Sequence, residues 1–155
     1  MAEHAYKASI VWTGNQGEGT TTYRAYTRDY DIAADGKPVI KGSADPSYMG
    51  DASRYNPEDM LVASVSACHM LWYLHLCAVK GVVIQSYEDH AEGRMAVQKD
   101  GAGEFSEIVL RPQITISAGD RSIAEAMHEK AHEMCFIARS VNFPVRCEPE
   151  ITVSS

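Results

Sequence analysis

The sequence predicts an α+β fold in which two helices pack on antiparallel sheet. Residues 56–81 and 122–134 carry helix-start and helix-stop signals, and the rest of the chain is rich in Thr, Tyr, Val and Ile between glycine-containing turns. The elements follow in the order ββ(β)–α–ββ–α–β, with no internal repeat. A length of 155 residues is ample for one buried core, so we expect a single domain over residues 1–155.

The N-terminal third is predicted to form strands joined by a long irregular connection. Residues 5–13 and 19–33 have the composition and near-alternation of strands, and residues 14–17 (GNQG) separate them with turn-forming residues. Residues 36–55 are rich in Gly, Pro, Ser and Asp, with one short strand predicted at 38–41. Connections of this length are often functional in compact domains.

The first helix is predicted to begin at Asn56 and to end before Gly81. Asn56 is a favourable N-cap, Pro57 suits the first helical position, and Glu58 and Asp59 place negative charge in the first turn. Residues 60–79 then contain no Asp, Glu, Lys or Arg, which is long enough to cross a bilayer. Polar side chains inside the run favour a central core helix instead: Ser64, Ser66, His69 and His75. One domain of this size rarely covers such a helix, so we expect a dimer.

The C-terminal half is predicted to contain two long strands, a helix and a last strand. The strands cover residues 82–99 and 104–117, joined as a hairpin by residues 100–103 (DGAG). Ser122 and Glu125 form a capping-box pattern, from which the second helix runs to about Met134. Residues 136–141 are expected to add a helical turn, and residues 145–153 a final strand.

Charge and cysteine content restrict the partners and the compartment. The chain has 14 basic and 21 acidic residues, a net charge of −7, so nucleic acid and anionic membranes are not expected to bind it. Four cysteines are too sparse for a secreted disulfide scaffold, and the first residues lack the apolar run of a signal peptide. We therefore expect a cytoplasmic, reducing location.

The helical period limits which cysteines can act together. Cys68 and Cys77 are nine residues apart, which places them on opposite faces of the first helix and ~13 Å apart along its axis. Cys135 closes the second helix, and Cys147 lies in the last strand. One interpretation is four buried small apolar side chains, and the other is a redox couple of Cys68 with Cys135. Periodicity permits both.

Two motifs resemble those of a known family. Residues 56–61 (NPEDML), followed by residues 66–70 (SACHM), are similar to the NPE-(D/E)-x-L and (S/A)-A-C motif of the OsmC/Ohr family, named for osmotically inducible protein and organic hydroperoxide resistance protein. Residues 131–135 (AHEMC), followed by residues 137–140 (IARS), resemble the family's second signature and the short helix after it. The order of elements matches over nearly the whole chain.

The resemblance implies an OsmC-like intertwined homodimer whose antiparallel sheets wrap around two long central helices. It also implies that Cys68 is the peroxidatic thiol and Cys135 the resolving thiol of a peroxidase for organic hydroperoxides. A dithiol, in some members a lipoylated protein, would then reduce the enzyme. No cofactor and no resident metal are expected.

The resemblance also assigns a role to a glutamate and an arginine. In the family, the glutamate of the NPE motif, here Glu58, holds an arginine that stabilises the peroxidatic thiolate. No single arginine matches that position, so Arg54, Arg28 and Arg24 are the alternatives, each of which could equally be a solvated surface side chain. Glu58 itself could be an ordinary first-turn acid favoured by the helix dipole.

Two other functions compete with the peroxidase. The first is non-catalytic binding of a hydrophobic small molecule in the dimer cleft, with the cysteines as relics. The second is a zinc site on one face of the second helix, formed by His128, His132 and Cys135. His69, next to Cys68, is interpreted as a core or interface histidine with a satisfied hydrogen bond.

Overall fold

The structure is a computed structural model that describes residues 1–154. The chain divides into two compact units, residues 1–60 and residues 61–155, and each is described by itself. The single domain expected over residues 1–155 stays a prediction. The first long helix begins in the first unit and continues in the second.

The first unit contains one antiparallel three-stranded sheet. Its strands are β1 (Ser9–Trp12), β2 (Tyr30–Ala33) and β3 (Ile40–Gly42), in the order β1-β2-β3. A short 3-10 helix follows at Pro46–Tyr48. The strand predicted at 38–41 is therefore present, shifted towards the C-terminus.

The strand predicted over residues 19–33 is wrong for most of its length. Only its last four residues pair in the sheet, and residues 19–29 form turns and irregular chain. The side chain of Asn15 accepts the backbone N–H groups of Gly17 and Gly19 at 2.9 and 3.0 Å, and both glycines have positive φ, 118° and 57°. The turn therefore extends beyond the predicted one, because a local hydrogen-bond network replaces strand pairing.

The start of the first helix is confirmed. Helix α1 covers Pro57–Val79. Asn56 caps it reciprocally, since its side chain accepts the Asp59 N–H at 2.8 Å and its own N–H donates to the Asp59 carboxylate at 3.2 Å. At the other end Gly81 has a positive φ of 75°, as a helix-terminating glycine requires.

The second unit contains two three-stranded sheets, β4-β7-β9 and β5-β6-β8. Their strands are β4 (Val83–Asp89), β5 (Glu92–Val97), β6 (Gly103–Leu110), β7 (Pro112–Ala118), β8 (Val145–Cys147) and β9 (Glu150–Val153). Each of the three long strands predicted for this region is thus divided into two, and its halves lie in different sheets. The hairpin at residues 100–103 joins β5 to β6, as predicted.

The breaks in the strands have local physical causes. Pro112 and Pro149 lie at two of them, and proline has no N–H to donate to a sheet ladder. At the break between β6 and β7, the Arg111 N–H donates instead to the side chain of Asp89 at 2.6 Å. The expectation of purely antiparallel sheet also needs correction, because β8 pairs parallel to β6 and β9 pairs parallel to β7.

Helix α2 covers Arg121–Met134. Its N-cap is Asp120, whose carboxylate accepts the Ser122 N–H at 2.8 Å, so the predicted cap, Ser122, is two residues too late. The helical turn expected at residues 136–141 is a 3-10 helix at Ala138–Ser140.

Helix α1 buries a single stripe within the second unit. The fully buried positions recur every fourth residue: Val65, His69, Tyr73 and Cys77. The Tyr73 hydroxyl donates to the Ala124 carbonyl of α2 at 2.9 Å, so the polar end of this core tyrosine is satisfied. Outside the stripe, Leu71 and Val79 are 62% and 68% exposed. One chain therefore covers only part of the apolar surface of α1.

Among the described residues, α1 is also the one helix with the length and composition to cross a membrane. This is weak support for a membrane span, because core helices of soluble proteins pass the same test. The buried stripe favours the core helix that the sequence predicts.

Candidate functional site

The structure brings Cys68 and Cys135 together from the two helices. Cys68 lies in the middle of α1 and is half-buried, whereas Cys135 is the C-cap of α2 and is fully buried. Both are free thiols. Cys77 lies in the core beside Tyr73, and Cys147 ends β8. The two cysteines that the motifs single out are therefore neighbours, with different access to solvent.

The surroundings of Cys135 keep it protonated. Burial raises the pKa of Cys135 to about 11, and interaction with the neighbouring Cys68 thiol adds to the rise. The backbone N–H groups of Ala138 and Ile137 oppose it, and the Ala138 N–H donates to the Cys135 sulfur at 3.4 Å. At neutral pH, Cys135 is consequently a neutral thiol beside the more accessible Cys68.

Aromatic side chains lie next to the thiol pair on both helical segments. Trp72 is one helical turn after Cys68, and Phe136 directly follows Cys135. Their rings meet edge to face with centroids 5.5 Å apart, and Phe136 is 65% exposed. This part of the second unit is therefore apolar, and a substrate with a hydrocarbon chain can contact it.

Arg28 and Glu58 line one cavity in the first unit. The cavity has a volume of about 480 Å³, and its other walls are mainly aromatic: Trp12, Tyr26, Tyr30 and Tyr48. The Tyr30 hydroxyl is buried with no hydrogen-bond partner. Burial, and to a smaller extent the negative charge of Glu58, raises the pKa of Tyr30. The cavity thus combines apolar walls with two acids, Glu58 and Asp45, one base and an unpaired hydroxyl.

The Arg28 side chain is held without a carboxylate partner among residues 1–154. Its guanidinium lies 4.2 and 4.0 Å from the ring centroids of Tyr23 and Tyr26, and it donates to the carbonyls of the same two residues at 2.6 and 2.7 Å. Its positive charge is therefore fixed in position but not neutralised.

Arg54 is engaged elsewhere in the first unit. Its Nε lies 3.7 Å from a carboxylate oxygen of Asp29 and 3.6 Å from one of Asp51. Arg24, the third alternative, is exposed. Of the three arginines, Arg28 is the one that shares a cavity with Glu58.

A second cluster in the second unit was not found by sequence reasoning. His69 Nε2 and His128 Nδ1 form a hydrogen bond of 3.0 Å, and Cys147 Sγ lies 3.8 and 3.6 Å from those two nitrogens. The interpretation of His69 as a hydrogen-bonded core residue agrees with this placement. No local spacing could reveal the cluster, since its members come from α1, α2 and β8. The one available signal was that both histidines fall among apolar helix positions.

The charges in this cluster are suppressed by burial. Burial lowers the pKa of His69 to about 4 and that of His128 to about 3, so both rings are neutral at physiological pH. Burial, together with the charges of Asp89 and Glu148, raises the pKa of Cys147 to about 12. The aromatic ring of Tyr73 stacks on His128 with centroids 3.9 Å apart.

The zinc site considered for His128, His132 and Cys135 is wrong. His132 is exposed, and within residues 1–154 the group of His, Cys, Asp and Glu side chains that converges is His69, His128 and Cys147. A shared helical face places side chains on one side of a helix, but it does not bring their donor atoms to a common point.

The motif residues of both helices fall within a match to a known family. Residues 50–150 match the family model described as OsmC-like protein. This match covers most of the chain. The chain belongs to the OsmC family. The family that the sequence motifs resemble is thereby confirmed.

Solved structures of OsmC and Ohr proteins have the same fold. An OsmC-like protein of unknown function from Vibrio cholerae is 33% identical, with a TM-score of 0.83 over 96% of this chain and 99% of that chain. An organic hydroperoxide resistance protein OsmC from Legionella pneumophila is 16% identical, with a TM-score of 0.64 over 97% and 99% of the two chains. The organic hydroperoxide resistance protein OhrB of Bacillus subtilis is 21% identical, with a TM-score of 0.56 over 95% and 98%. No curated protein matches the chain in sequence. The α+β fold class is therefore confirmed as OsmC-like.

The unequal burial of the two thiols of this OsmC protein predicts unequal alkylation. At pH 7 iodoacetamide should label Cys68 well before Cys135, because alkylation requires an accessible thiolate and Cys135 is buried with its pKa raised to about 11. Labelling of Cys135 should increase with pH up to about that value, as followed by mass spectrometry of tryptic peptides.

The Cys68→Ser variant provides the control. It should shift the labelling of Cys135 to lower pH, because the Cys68 thiol contributes to the raised pKa of Cys135. Equal labelling of Cys68 and Cys135 at pH 7 in the folded wild-type protein would contradict the assignment of an accessible and a protected thiol.

Proposed function

We propose that this OsmC protein is a thiol-dependent peroxidase that reduces organic hydroperoxides in oxidative stress defence. The observation that carries the proposal is the half-buried thiol of Cys68 with the buried thiol of Cys135 beside it. Members of the family include organic hydroperoxide resistance proteins, which supports this class of substrate. The apolar surroundings formed by Trp72 and Phe136 favour an alkyl or aryl hydroperoxide over hydrogen peroxide.

The proposed reaction has three balanced steps. The Cys68 thiolate attacks the terminal peroxide oxygen, the O–O bond breaks, and the leaving alkoxide takes a proton and departs as an alcohol, which leaves a sulfenic acid on Cys68. The Cys135 sulfur then attacks the Cys68 sulfur, a disulfide forms and water leaves. An external dithiol, such as a lipoylated protein, reduces this disulfide by thiol–disulfide exchange and is itself oxidised.

Because its thiol stays protonated, Cys135 is better suited to disulfide formation, the second step, than to attack on the peroxide, the first step. A neutral thiol is a weak nucleophile towards peroxide, and Cys135 stays neutral at physiological pH because burial raises its pKa. Cys135 can lose its proton to the hydroxyl of the sulfenic acid, which departs as water. This difference supports the proposal of Cys68 as the peroxidatic thiol and Cys135 as the resolving thiol.

We further propose that Arg28, with Glu58, is the arginine–glutamate pair of this chain. Both line the same cavity, and Arg28 forms no ion pair with another carboxylate among the described residues, so it is available to Glu58 although the two are not in direct contact here. Arg54 is less suited because Asp29 and Asp51 already neutralise it. A cation of this kind stabilises a thiolate over its thiol.

The peroxidase proposal predicts turnover that depends on both motif cysteines. With cumene hydroperoxide and either dithiothreitol or dihydrolipoamide, the wild-type protein should consume peroxide, and Cys68→Ser should lose turnover because a hydroxyl cannot replace the thiolate. One equivalent of peroxide should remove two free thiols from wild type, counted with a thiol reagent. Cys135→Ser should instead accumulate a sulfenic acid at Cys68 and then over-oxidise.

Cys77→Ala is the matched control, because Cys77 is on the same helix but lies in the core away from the thiol pair. It should retain peroxide turnover. If wild type and Cys68→Ser both leave organic peroxides untouched with every dithiol tested, the peroxidase proposal fails. Binding of a hydrophobic small molecule would then be the better account of the apolar surfaces.

The arginine assignment predicts a different result for each of the three candidates. If Arg28 has this role, Arg28→Ala should slow the oxidation of Cys68 by about ten-fold or more at neutral pH, since a thiolate that loses its stabilising cation is disfavoured by ~1.4 kcal/mol for each unit of pKa. The pH–rate profile, measured by stopped-flow mixing with cumene hydroperoxide, should shift to higher pH. Exposed Arg24 provides the control, and Arg24→Ala should leave the rate unchanged. A normal rate in Arg28→Ala with a slow rate in Arg54→Ala would transfer the role to Arg54.

We also propose that the protein is a homodimer in a reducing, cytoplasmic location. The exposed side chains of Leu71 and Val79 extend the apolar surface of α1, which one chain leaves uncovered. A second copy of the chain would bury this surface, as the intertwined dimer expected for the family does. The four free cysteines are compatible with a reducing compartment.

The dimer proposal predicts sedimentation as a dimer at micromolar concentration. Leu71→Asp should weaken the dimer, because a carboxylate would be buried without a partner at the interface. Lys99→Asp, which also introduces an aspartate but at an exposed position in the hairpin, should sediment as wild type does. A monomeric wild-type protein in analytical ultracentrifugation would overturn the proposal.

A further inference from the structure

The cluster of His69, His128 and Cys147 has a second possible chemistry besides hydrogen bonding. It offers two imidazole nitrogens and one sulfur, which all lie within 4.8 Å of one another. The side chains come from three elements, α1, α2 and β8, so the tertiary fold alone assembles them. The peroxidase chemistry proposed above uses none of the three.

The spacing of the three donor atoms fits one face of a tetrahedral metal site. Zinc binds nitrogen at ~2.0–2.1 Å and sulfur at ~2.3 Å, and tetrahedral angles then separate two nitrogens by ~3.3 Å and a nitrogen from the sulfur by ~3.6 Å. The observed N···N separation is 3.0 Å, and the two N···S separations are 3.8 and 3.6 Å. Small side-chain movements are therefore sufficient to admit an ion.

The electrostatic surroundings also favour a cation. Both imidazoles are neutral, so each has a lone pair to donate, and the carboxylates of Asp89 and Glu148 act on Cys147. Asp89 is fixed by the Arg111 N–H at 2.6 Å and by a hydrogen bond from the Ser66 hydroxyl. The negative charge that acts on Cys147 therefore comes mainly from Asp89, because the Glu148 carboxylate is paired with Arg146 at 3.6 Å.

Two buried polar atoms next to the cluster lack hydrogen-bond partners. They are His128 Nε2 and the Tyr87 hydroxyl, and the Tyr87 ring packs against Tyr73, which stacks on His128. A buried hydroxyl without a partner is uncommon and needs an explanation. A water or other small ligand on a metal ion here would give the Tyr87 hydroxyl a partner.

We propose that His69 Nε2, His128 Nδ1 and Cys147 Sγ bind one Zn²⁺ ion, with the fourth position taken by a water molecule or another small exogenous ligand. Mixed imidazole and thiolate donors suit zinc among the common divalent ions. On binding, Cys147 gives up its thiol proton to solvent, the imidazole that donates the His69–His128 hydrogen bond transfers that proton to its other ring nitrogen through solvent exchange, and two metal–nitrogen bonds replace the hydrogen bond. The ion then links α1, α2 and β8.

The experiment uses the full, untagged chain, reduced and freed of metal, with Co²⁺ as a spectroscopic probe. We expect one Co²⁺ per chain, with visible bands of a four-coordinate ion and a thiolate-to-cobalt charge-transfer band, and displacement of the cobalt by Zn²⁺. Cys147→Ser should abolish the charge-transfer band, and His69→Ala or His128→Ala should each weaken binding at least ten-fold.

Two matched controls separate this site from other ligands. His132→Ala removes an exposed histidine one turn after His128, and the double variant Cys68→Ser/Cys135→Ser removes the neighbouring thiol pair; both should bind Co²⁺ as wild type does. Failure of the folded wild type to bind one equivalent, or a charge-transfer band that survives Cys147→Ser, would overturn the proposal. Loss of binding in the double variant would also overturn it, since the redox thiols would then be the ligands.

A measurement on wild type covers the case in which Cys147→Ser does not fold, as judged by circular dichroism. One equivalent of Zn²⁺ should slow the alkylation of Cys147, followed by mass spectrometry, while leaving that of Cys68 unchanged. Alkylation of Cys147 at the same rate with and without zinc would contradict the assignment. This outcome is independent of peroxide turnover, so the metal proposal and the peroxidase proposal can fail separately.

Discussion

The arrangement of the second unit depends on the buried polar contacts between α1 and α2. An apolar helix that buries Tyr73 and His69 must satisfy their polar atoms inside the protein, because unpaired buried groups are costly. The Tyr73 hydroxyl reaches the Ala124 carbonyl, and His69 reaches His128. These two contacts, one helical turn apart on α1, hold the two helices together at a defined position. Hydrophobic contact alone would leave that position less well specified.

The meeting of the two redox candidates follows from this contact. Cys68 directly precedes His69 on α1, and Cys135 lies two turns after His128 on the same face of α2. Once His69 and His128 are joined, the end of α2 lies beside Cys68. The two thiols then differ only in burial, because Cys135 closes its helix inside the core whereas Cys68 lies at the margin of the buried stripe. That difference is the physical basis for giving them different roles.

The two proposals give neighbouring cysteines of the second unit two different kinds of sulfur chemistry. The pair of Cys68 and Cys135 has one accessible thiol, that of Cys68. This arrangement suits reaction first with a peroxide and then with a dithiol. The third sulfur, Cys147, lies 3.8 and 3.6 Å from nitrogens of two imidazoles, and we propose that it binds a metal ion with them after losing its thiol proton. The positive charge of Arg28 lies in the other unit, in an aromatic cavity with Glu58.

Features that depend on neighbouring residues could be predicted from the amino-acid sequence. The reciprocal cap of Asn56 and Asp59, the stop at Gly81 and the length of α1 follow from local hydrogen bonding and backbone freedom, and the motifs around Cys68 and Cys135 indicated the family. The general α+β class was also predictable, because the sequence patterns of helices and strands depend on neighbouring residues. These signals need no knowledge of which distant segments meet.

Tertiary structure alone decided which segments and side chains come together. Each long strand predicted in the second unit is shared between two sheets, and two strand pairs are parallel, because partners distant in sequence determine which sheet each half of a broken strand joins. Residues 19–29 lose their predicted strand to a turn network around Asn15. Helical periodicity grouped His128 with His132, yet His128 meets His69 and Cys147, which are 59 and 19 residues away. A helical face gives only a direction, and the element packed against it determines the contact.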